Sequence, residues 1–352
     1  MFEQKLSKYF NNTVRKSSKG APLQILVSSK KHGIDFNYSN TTSDQPYHTA
    51  SIGKMFTATI IGMLCEKGLL QLDDRIDTHL SAEILHGLFV YNNMDYKEAI
   101  TLRHLLGHTS GIADYFESNV TAGSKFVSQI LNKPEKMWTP VMLVDFTRNH
   151  QVAAGPPGKF FYSDTGYVLL GLIAEKVTGK SFADIMGEYI FQPLDMRDSY
   201  LMFYSEPQRQ PKKDIANIWF DGKEISKLNL LSCDWAGGGV VSTTSDLLKF
   251  QKAFWDGILV SKNFMIEMQR FDNKYRAGIY YGLGMMELHF EEFFFLLKGL
   301  PRCKGHLGIL ATHMFYDPVN DAHIIMNFGS NKRMVESFKA LITIERLFKT
   351  LN

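Results

Sequence analysis

A serine and a lysine three residues apart, Ser51 and Lys54, open an apolar run near the beginning of the chain. Residues at i and i+3 share one face of a helix, so the hydroxyl and the amine would lie side by side. The N-terminus of a helix presents unpaired N–H groups and partial positive charge, which could stabilise an oxyanion there. The pair could therefore act as a nucleophile and its proton partner. The alternative is that Ser51 is simply the N-cap of the helix.

A second reactive group, Tyr162-Ser163-Asp164, follows the rigid loop Gly155-Pro156-Pro157-Gly158. A tyrosine between a loop and a helix can be held rigidly and point into a cleft. Beside a lysine ammonium we expect the pKa of its phenol to fall, because a nearby cation favours the phenolate. The tyrosine could then act as a general base toward a serine hydroxyl. The alternative is a core tyrosine, with Ser163 or Asp164 capping the helix that follows.

A third group, Lys304-Gly305-His306-Leu307-Gly308, stands at the start of an apolar strand. Two glycines around a histidine allow a ligand or another backbone to approach the strand closely. We expect the side chain of His306 to project toward that ligand. The alternative is a histidine at a strand edge beside a turn glycine.

Two histidines four residues apart, His104 and His108, raise the question of a metal site. Leu105 stands where a zinc-protease helix carries its glutamate, and Gly107 weakens the helix. We therefore predict no metal at this place. The favoured interpretation is structural, with His108 and Thr109 satisfying backbone groups at a helix end.

The elements that must position these groups follow from hydrophobic periodicity and from glycine and proline punctuation. A polar helix is predicted over residues 1–20, and a buried central helix begins at Ser51 and ends near Gly68. Residues 75–205 are mainly helical. After residue 205 we predict a helix over 244–255, capped by Thr244 or Ser245, and a C-terminal helix over 335–347. Strands are predicted over residues 23–27, 33–38, 277–286, 293–297, 307–315 and 324–328.

The composition excludes several classes of protein. With 352 residues, the chain should form one large domain or two closely packed ones. Its 39 basic and 36 acidic residues give a net charge of +3, which is too balanced to indicate nucleic-acid binding. Three widely spaced cysteines argue against a disulfide framework and against a zinc site.

No segment approaches the roughly 20 apolar residues that a transmembrane helix needs. Residues 1–20 lack the apolar stretch of a signal peptide. The protein is therefore expected to be cytoplasmic as written, or periplasmic or extracellular if an export signal was removed.

In their order along the chain, these motifs resemble those of the serine β-lactamase and penicillin-binding-protein superfamily. The resemblance covers about residues 22–345. It is strongest with the branch that holds class C β-lactamases, D-Ala-D-Ala carboxypeptidases, D-aminopeptidases and family VIII carboxylesterases. The segments that carry it are Ala50-Ser51-Ile52-Gly53-Lys54, Leu70-Gln71-Leu72-Asp73-Asp74, Leu105-Leu106-Gly107-His108-Thr109-Ser110-Gly111, Tyr162-Ser163-Asp164-Thr165-Gly166-Tyr167, Ala236-Gly237-Gly238 and Gly305-His306-Leu307-Gly308.

The resemblance implies an α+β fold of the β-lactamase/DD-peptidase type, in which helices flank an antiparallel sheet built from both chain ends. Residues 1–75 and 206–352 would form this α/β domain, and residues 76–205 a mainly helical domain, with the active site between them.

By analogy with the family, Ser51 is the nucleophile, Lys54 its proton partner, and Tyr162 the base on the serine and the acid toward the leaving group. The segment His306-Leu307-Gly308 corresponds to the third motif of the family. The oxyanion hole would be formed by the backbone N–H groups of Ser51 and Ile309.

Two departures from the β-lactamase pattern bear on the substrate. The third motif reads His306-Leu307-Gly308 in place of Lys-Thr-Gly, so the lysine and threonine that grip a substrate carboxylate are missing. His306 could replace the cation only partly, at lower pH. The second motif ends in Asp164 where β-lactamases usually carry asparagine. An ionised aspartate only accepts hydrogen bonds, so this position favours an N–H or ammonium group.

The resemblance therefore implies a serine hydrolase that works through an acyl-enzyme. It would be a penicillin-binding-protein-like D-alanyl-D-alanine carboxypeptidase or D-amino-acid peptidase, or an esterase. The substrate would be a small molecule or a peptide, namely an ester, an amide or a D-amino-acid peptide, with β-lactams as further candidates. No cofactor and no metal are expected. The alternatives are a class C-like β-lactamase with weak activity and a catalytically silent penicillin-binding or sensor protein.

Overall fold

A computed structural model describes residues 2–16 and 20–351 of the chain. Its strands are β1 (Gln24–Ser29), β2 (Ile34–Ser39), β3 (Tyr47–His48), β4 (Val90–Tyr91), β5 (Met94–Asp95), β6 (Tyr200–Leu201), β7 (Trp219–Phe220), β8 (Lys223–Glu224), β9 (Val240–Ser242), β10 (Asn273–Arg276), β11 (Ile279–Tyr281), β12 (Met286–Leu288), β13 (Lys304–Gly308), β14 (Thr312–Asp317) and β15 (Ala322–Asn327).

The α-helices are α1 (Phe2–Lys16), α2 (Gly53–Glu66), α3 (Ala82–Leu85), α4 (Leu102–Leu106), α5 (Phe126–Asn132), α6 (Pro140–His150), α7 (Asp164–Thr178), α8 (Phe182–Met186), α9 (Trp235–Gly238), α10 (Thr244–Trp255), α11 (Lys262–Met268), α12 (Phe290–Phe293) and α13 (Met334–Phe348). Short 3-10 helices cover Ala50–Ile52, Ile76–Thr78, Lys97–Ala99, Asn229–Asp234, Phe295–Leu297 and Asn331–Arg333, and a π-helical turn covers Gly187–Phe191.

The main sheet of the described residues is antiparallel and has eight strands, in the order β10-β11-β12-β13-β14-β15-β1-β2. The two ends of the chain meet in it, because β1 pairs with β15 and places Leu26 opposite Ile325. Strand β1 is hydrogen-bonded to β15 on one side and to β2 on the other, and it is buried almost throughout. A smaller sheet, in the order β3-β9-β6, lies beside the turn that carries Ser51.

One face of the main sheet is covered by the terminal helices α1 and α13. The apolar stripe of α1 buries Phe2, Leu6 and Phe10, and the ring of Phe2 lies 4.8 Å from that of Phe348 on α13. Both helices are amphipathic, as their apolar spacing predicts. Burial of these stripes on one sheet joins the two ends of the chain in a single apolar core.

The other face of the sheet is covered by α10, which packs against β1, β14 and β15. Beside it lies α2, the central helix predicted from the run after Ser51, which contacts β13. Its side chains are buried on nearly all sides, and the ring of Phe56 stacks on that of Phe250 of α10 at 3.9 Å. The helix also packs against α7 and α9. It ends as expected, with Gly68 in the left-handed region at φ +72°. The first turn of this helix is thereby held rigidly beside the sheet.

Two predicted strands are wrong because a turn interrupts each of them. The segment predicted over 277–286 forms β11 and β12, with Gly284 at φ +76° in the turn between them. The segment predicted over 307–315 contains the end of β13, a turn with Ala311 at φ +57°, and β14. The helix over 244–255 is present as α10, but its cap is Thr243, whose hydroxyl accepts the backbone N–H of Asp246.

The strand predicted over 293–297 is also wrong, because this segment is helical, with α12 followed by a 3-10 turn. Its continuous apolar run resembles a buried strand in sequence, yet the side chains of Phe295 and Leu296 are exposed. An apolar run alone cannot separate a strand from a helical segment.

The architecture confirms the predicted α+β, β-lactamase/DD-peptidase-like fold. The division into an α/β domain (1–75 and 206–352) and a helical domain (76–205) stays a prediction. The helix over 1–20 is present as α1, while Met1 and residues 17–19 lie outside the described residues. Within residues 2–16 and 20–351, no helix has the length and apolar character required to cross a membrane.

Candidate functional site

Ser51 lies in the 3-10 turn Ala50–Ile52, directly before α2. The N-cap positions of this turn and of α2 belong to Thr49 and Ile52, and neither makes a side-chain cap, so the interpretation of Ser51 as a cap is wrong. Its Oγ lies 3.3 Å from Nζ of Lys54. The i, i+3 spacing therefore brings hydroxyl and amine together, as predicted.

The side chain of Lys54 is fully buried and fixed by three partners. Its Nζ donates to the carbonyl oxygen of Gly237 at 2.8 Å and to Oγ of Ser51, and it forms an ion pair with Asp164. A buried ammonium needs such partners because the interior solvates charge poorly. The pair with Asp164 thus fixes the amine beside the serine.

The backbone around Ser51 is packed too closely for side chains. A Cβ on Gly238 would lie 2.9 Å from the carbonyl carbon of Ala50, and one on Gly308 would lie 2.8 Å from Thr49 O. These two glycines allow α9 and β13 to close on the turn. Ser51 and Ile309, the two residues predicted to form the oxyanion hole, both line the cleft beside it; their roles stay predictions.

Tyr162 is placed beside Ser51 by the segment that leads into α7. The backbone N–H of Ser163 donates to Nδ1 of His108 at 3.0 Å, and Ser163 Oγ donates to Ala113 O at 3.0 Å. Ser163 occupies the N-cap position of α7 without making a side-chain cap. These bonds place Tyr162 in the same cleft as Ser51, with its ring 5.0 Å from Nζ of Lys54.

The expected fall in the pKa of Tyr162 is wrong. Burial of the phenol and the neighbouring carboxylate of Asp164 raise its pKa well above the ordinary value of 10. The interaction of the phenol with Ser51 opposes this shift in pKa without reversing it. Because Asp164 is also the ion-pair partner of Lys54, the tyrosine meets a compensated cation, and its neutral form is favoured.

The ring of Tyr162 is covered by a second aromatic ring, which is covered in turn by a guanidinium group. The ring of Tyr275 lies 5.2 Å from that of Tyr162 at an interplanar angle of 27°, and the guanidinium of Arg276 covers Tyr275 at 4.7 Å. Both residues belong to β10, a strand that was not predicted. Among the described residues that line the cleft, Arg276 is the basic one.

The side chain of His306 does not project into the cleft, which corrects the expectation from sequence. It is fully buried, with Nε2 3.0 Å from Oη of Tyr281 and Nδ1 2.7 Å from Leu307 O. Burial, with the nearby cation of Lys54, lowers its pKa to about 3, so it cannot serve as a cation near neutral pH. Side chains alternate along a strand, and the next residue, Leu307, lines the cleft instead.

Three further carboxylates lie around the cleft beside Asp164, and sequence reasoning missed them: Asp114, Glu117 and Asp234. Asp114 accepts the backbone N–H groups of Asp164 at 3.0 Å and Glu117 at 2.9 Å. Burial and the charge of Asp164 raise the pKa of Asp114, and the same two causes raise that of Asp234 to about 7.

A signal for two of these carboxylates was present in the sequence. Asp114 stands three residues after the Gly111 that closes one family motif, and Asp234 stands two residues before Ala236, which opens another. The two motifs lie far apart in the sequence, whereas the fold brings their ends to one cleft of about 350 Å³.

The two histidines considered as metal ligands have other partners. His104 accepts the backbone N–H of Thr101 in a capping box, and His108 accepts that of Ser163. Thr109 N–H donates to His104 O at 2.8 Å, which closes the helix end. In the described part of the chain, no cluster of three or more histidine, cysteine or carboxylate side chains could hold a metal ion.

The geometry thus brings together Ser51, Lys54, Tyr162 and Asp164, with Gly308 packed against the turn before Ser51 and Ile309 in the lining of the cleft. Comparison with known proteins identifies the family of the chain. A family model described as "Beta-lactamase" matches residues 25–344. Penicillin-binding protein 4* of Bacillus subtilis (strain 168) is 30% identical over 251 residues, which cover 64% of this chain and 50% of that protein. The chain spans about half the length of the curated relatives it matches.

Solved structures agree on the fold. The D-amino acid amidase of Ochrobactrum anthropi SV3, complexed with L-phenylalanine amide, superposes with a TM-score of 0.79 at 23% identity and 99% coverage of both chains. EstCE1, a hydrolase with promiscuous acyltransferase activity, gives a TM-score of 0.76 at 15% identity and 98% coverage of both chains. Because the family match extends over most of its length, this chain belongs to the β-lactamase family, among the serine β-lactamases and penicillin-binding-protein-like proteins.

Proposed function

We propose that this protein is a serine hydrolase in which Ser51 carries the acyl group. The observation that supports this most directly is the convergence of two side chains, those of Lys54 and Tyr162, on the hydroxyl of Ser51. Lys54 Nζ lies 3.3 Å from Ser51 Oγ, and the phenol of Tyr162 interacts with the same serine across the cleft that both residues line. A nucleophile in contact with two groups that hold protons is the arrangement that acyl transfer requires.

The proposed acylation step passes one proton through Tyr162. Ser51 Oγ attacks the substrate carbonyl carbon as its proton passes to the tyrosine oxygen. Tyr162 gives its own proton to the leaving nitrogen or oxygen, so the phenol is neutral before and after the step. This relay accords with the raised pKa of Tyr162, which disfavours a free phenolate. Water then attacks the ester on Ser51, and the same relay runs in reverse.

Lys54 and the facing backbone supply electrostatic stabilisation in this proposal. The ammonium, held by Asp164, points at the serine oxygen on which negative charge develops. The backbone N–H groups of Ser51 and Ile309 would bind the oxyanion of the tetrahedral intermediate. The loss of one such donor typically lowers the rate by about 10²–10³-fold.

The charge of the cleft favours a substrate with a free ammonium group. Asp164 is neutralised by Lys54, while Asp114 and Asp234 lie in the same cleft without a matching cation of their own. Burial first, and then the charge of Asp164, raise the pKa of each, so neither carboxyl group is fully ionised near pH 7 unless a cation binds beside it. An α-ammonium on the acyl part of the substrate would supply the missing countercharge. We therefore place amides and short peptides of amino acids first among substrates.

The D-configuration of that substrate is inferred from the family resemblance and from the D-amino acid amidase of similar fold. A D-alanyl-D-alanine carboxypeptidase is the variant of this proposal in which the leaving group carries a carboxylate, and Arg276 on the rim could receive it. Esters require the same steps and a better leaving group, so an esterase reaction is a second candidate. The apolar side chain of Leu307 in the cleft favours it.

The primary test is covalent labelling. A fluorophosphonate probe should add one phosphonyl group to the protein, with Ser51 as the labelled residue by peptide mass spectrometry. The variant Ser51→Ala should remain unlabelled, whereas Ser124→Ala, which removes an exposed hydroxyl, should label like the wild type. A wild-type protein without an adduct on Ser51 contradicts the proposal.

The substrate class is tested with matched pairs. D-alanine p-nitroanilide and its N-acetyl derivative differ in the ammonium group, and p-nitrophenyl acetate reports on ester hydrolysis. A preference for the free amine supports the amino-acid amidase or peptidase. Faster turnover of the acetylated compound favours the esterase. Labelling of Ser51 without turnover of any substrate, benzylpenicillin included, indicates a silent binder.

A further inference from the structure

The turn that positions Ser51 contains a residue in an unusual conformation. Ala50, which directly precedes it, has φ +51°, in the left-handed region that residues other than glycine seldom adopt. Such a conformation persists when surrounding contacts enforce it. The contacts around this peptide therefore decide where Ser51 points.

One of these contacts is made by His48, the last residue of β3. The backbone N–H of Ala50 donates to Nδ1 of His48 at 3.1 Å, across two residues of the chain. The imidazole is 1% exposed, so water does not compete for this bond. Since Nδ1 accepts, a neutral ring must carry its proton on Nε2.

The other ring nitrogen faces Asp234, which lines the cleft. Nε2 of His48 lies 3.5 Å from Oδ2 of Asp234 and has no hydrogen-bond partner among the described residues. The carboxylate orients the ring and favours the Nε2–H tautomer, as a carboxylate beside an imidazole commonly does. Burial lowers the pKa of His48 to about 4, so the ring is neutral near pH 7.

The remaining contacts hold the chain before and around Ala50, but they do not occupy its N–H group. Thr49 donates from both its backbone N–H, at 2.9 Å, and its hydroxyl, at 2.8 Å, to Val240 O. Thr312 donates to Thr49 O at 2.8 Å. The peptide that joins Thr49 to Ala50 is thus held at both of its polar groups, because Thr312 binds its carbonyl oxygen and His48 accepts its N–H.

We propose that His48 is a positioning residue for the nucleophile. Through Nδ1 it fixes the Ala50 peptide in its left-handed conformation, which keeps Ser51 Oγ at Lys54 and Ser51 N–H toward the cleft. This inference rests on the proposed role of Ser51 as the nucleophile. A displacement of about 1 Å at a reacting atom can lower a rate by about 10²-fold, so a loose turn should impair acylation strongly.

Two substitutions separate the two ring nitrogens. In His48→Asn the amide oxygen takes the place of Nδ1, and asparagine readily accepts the backbone N–H two residues on. In His48→Gln the amide reaches the place of Nε2 and leaves the N–H of Ala50 without its acceptor. His323→Gln, which removes a buried histidine on β15, is the matched control.

The readouts are the rate of Ser51 phosphonylation and the kcat and KM for p-nitrophenyl acetate. We expect His48→Gln to lose about 30–100-fold in kcat and in phosphonylation rate with KM nearly unchanged, on the positioning argument above. His48→Asn should retain about a third or more of both rates. Equal rates for wild type and His48→Gln, or equal losses in both variants, overturn the proposal.

A measurement on the wild type keeps the inference testable if a variant fails to fold. Nitrogen-15 NMR of the imidazole should show Nδ1 unprotonated and Nε2 protonated at pH 7; the opposite tautomer overturns the proposal.

The outcomes also separate the role proposed for His48 from the function proposed for the protein. A wild type that is not labelled at Ser51 contradicts the proposed function, whereas a labelled wild type with an equally labelled His48→Gln contradicts only the role of His48.

Discussion

The ammonium of Lys54 forms an ion pair with the carboxylate of Asp164, and this pair joins the first turn of α2 to the first turn of α7. Lys54 is fully buried and the side chain of Asp164 is 14% exposed. Removal of one partner of a buried ion pair leaves an uncompensated charge, whereas removal of both can be nearly neutral. The pair therefore links the stability of the site to the orientation of the lysine.

A double-mutant cycle on this pair is the first prediction. Asp164→Asn should lower the free energy of unfolding by about 3–5 kcal/mol, because Lys54 remains buried without its partner. Lys54→Met/Asp164→Asn should regain most of that loss, since the charge itself is removed. Urea unfolding followed by circular dichroism gives the free energies of unfolding of the wild type, Asp164→Asn, Lys54→Met and the double variant. If the losses in the two single variants add up to the loss in the double variant, the two charges are not coupled.

The hydroxyl of Tyr162 is the subject of the second prediction. Tyr162→Phe should lower kcat for p-nitrophenyl acetate by about 10²–10⁴-fold, the usual contribution of a positioned acid–base group. The raised pKa of the phenol also implies that the pH–rate profile of the wild type has no limb from a phenolate below pH 10.

The matched control for this variant is Tyr275→Phe. It removes the hydroxyl of the stacked ring and leaves the stack itself, so kcat should change by less than about threefold, as for a surface substitution. Similar losses in both variants would mean that Tyr162 acts by packing rather than through its hydroxyl.

Much of this site could be predicted from sequence because its parts are local. The i, i+3 spacing brings Ser51 to Lys54 within a single helical turn, and glycine and proline mark the loop before Tyr162. The Asp164 side chain could be assigned a preference for cations from its chemistry alone. The helices were also predicted from local patterns: residues 1–20 as a polar helix, the central helix from apolar positions on all its sides, and the C-terminal helix from its amphipathic spacing.

The parts that could not be predicted depend on contacts between distant segments. The face of the strand to which His306 points depends on the register of β13 against β14, where His306 lies opposite Met314. The pKa of Tyr162 depends on burial and on a carboxylate that also binds Lys54. Asp114 and Asp234 are separated by 120 positions in the sequence, so no local pattern joins them.

The third prediction concerns the pH dependence of the free energy of unfolding, and it follows from the buried imidazole of His306. Its pKa is lowered to about 3 in the folded protein, against an ordinary value of 6.5. A histidine whose pKa is lowered by folding makes the folded state less stable at low pH, so the stability present above pH 6.5 is lost as the pH falls. Relative to His306→Gln, the wild type should lose about 1.4 kcal/mol of unfolding free energy per pH unit between pH 6 and pH 4. Parallel curves for the two proteins from urea unfolding would contradict the buried, neutral ring.

Asp234 leads to the fourth prediction, on substrates with a free amine. Burial and Asp164 raise its pKa to about 7, so its charge grows as the pH rises through that value. The α-ammonium of the substrate loses its proton near pH 8. The ratio of kcat/KM for D-alanine p-nitroanilide to that for its N-acetyl derivative should therefore rise through pH 7 and fall above pH 8.

Asp234→Asn should remove the rising limb and lower that ratio about 10-fold or more, the loss expected for a hydrogen bond between charged groups. The turnover of the acetylated compound serves as the internal reference for each protein. A ratio that is the same in the variant at every pH would exclude Asp234 from ammonium binding.

The third motif supports the last prediction, which concerns β-lactams. Leu307 lines the cleft at the place where the resemblance puts a threonine that binds the substrate carboxylate, and it has no hydrogen-bonding group. Leu307→Thr should therefore raise the acylation rate of Ser51 by benzylpenicillin about 10-fold, the value of one hydrogen bond to a charged group.

Val319→Thr, at an exposed position, is the matched control and should leave that rate unchanged. Intact-mass measurement of the penicilloyl adduct over time gives the rates. An unchanged rate in Leu307→Thr would mean that the missing hydroxyl is not what limits the reaction with β-lactams, and that the fully buried His306, which supplies no cation, is the greater obstacle.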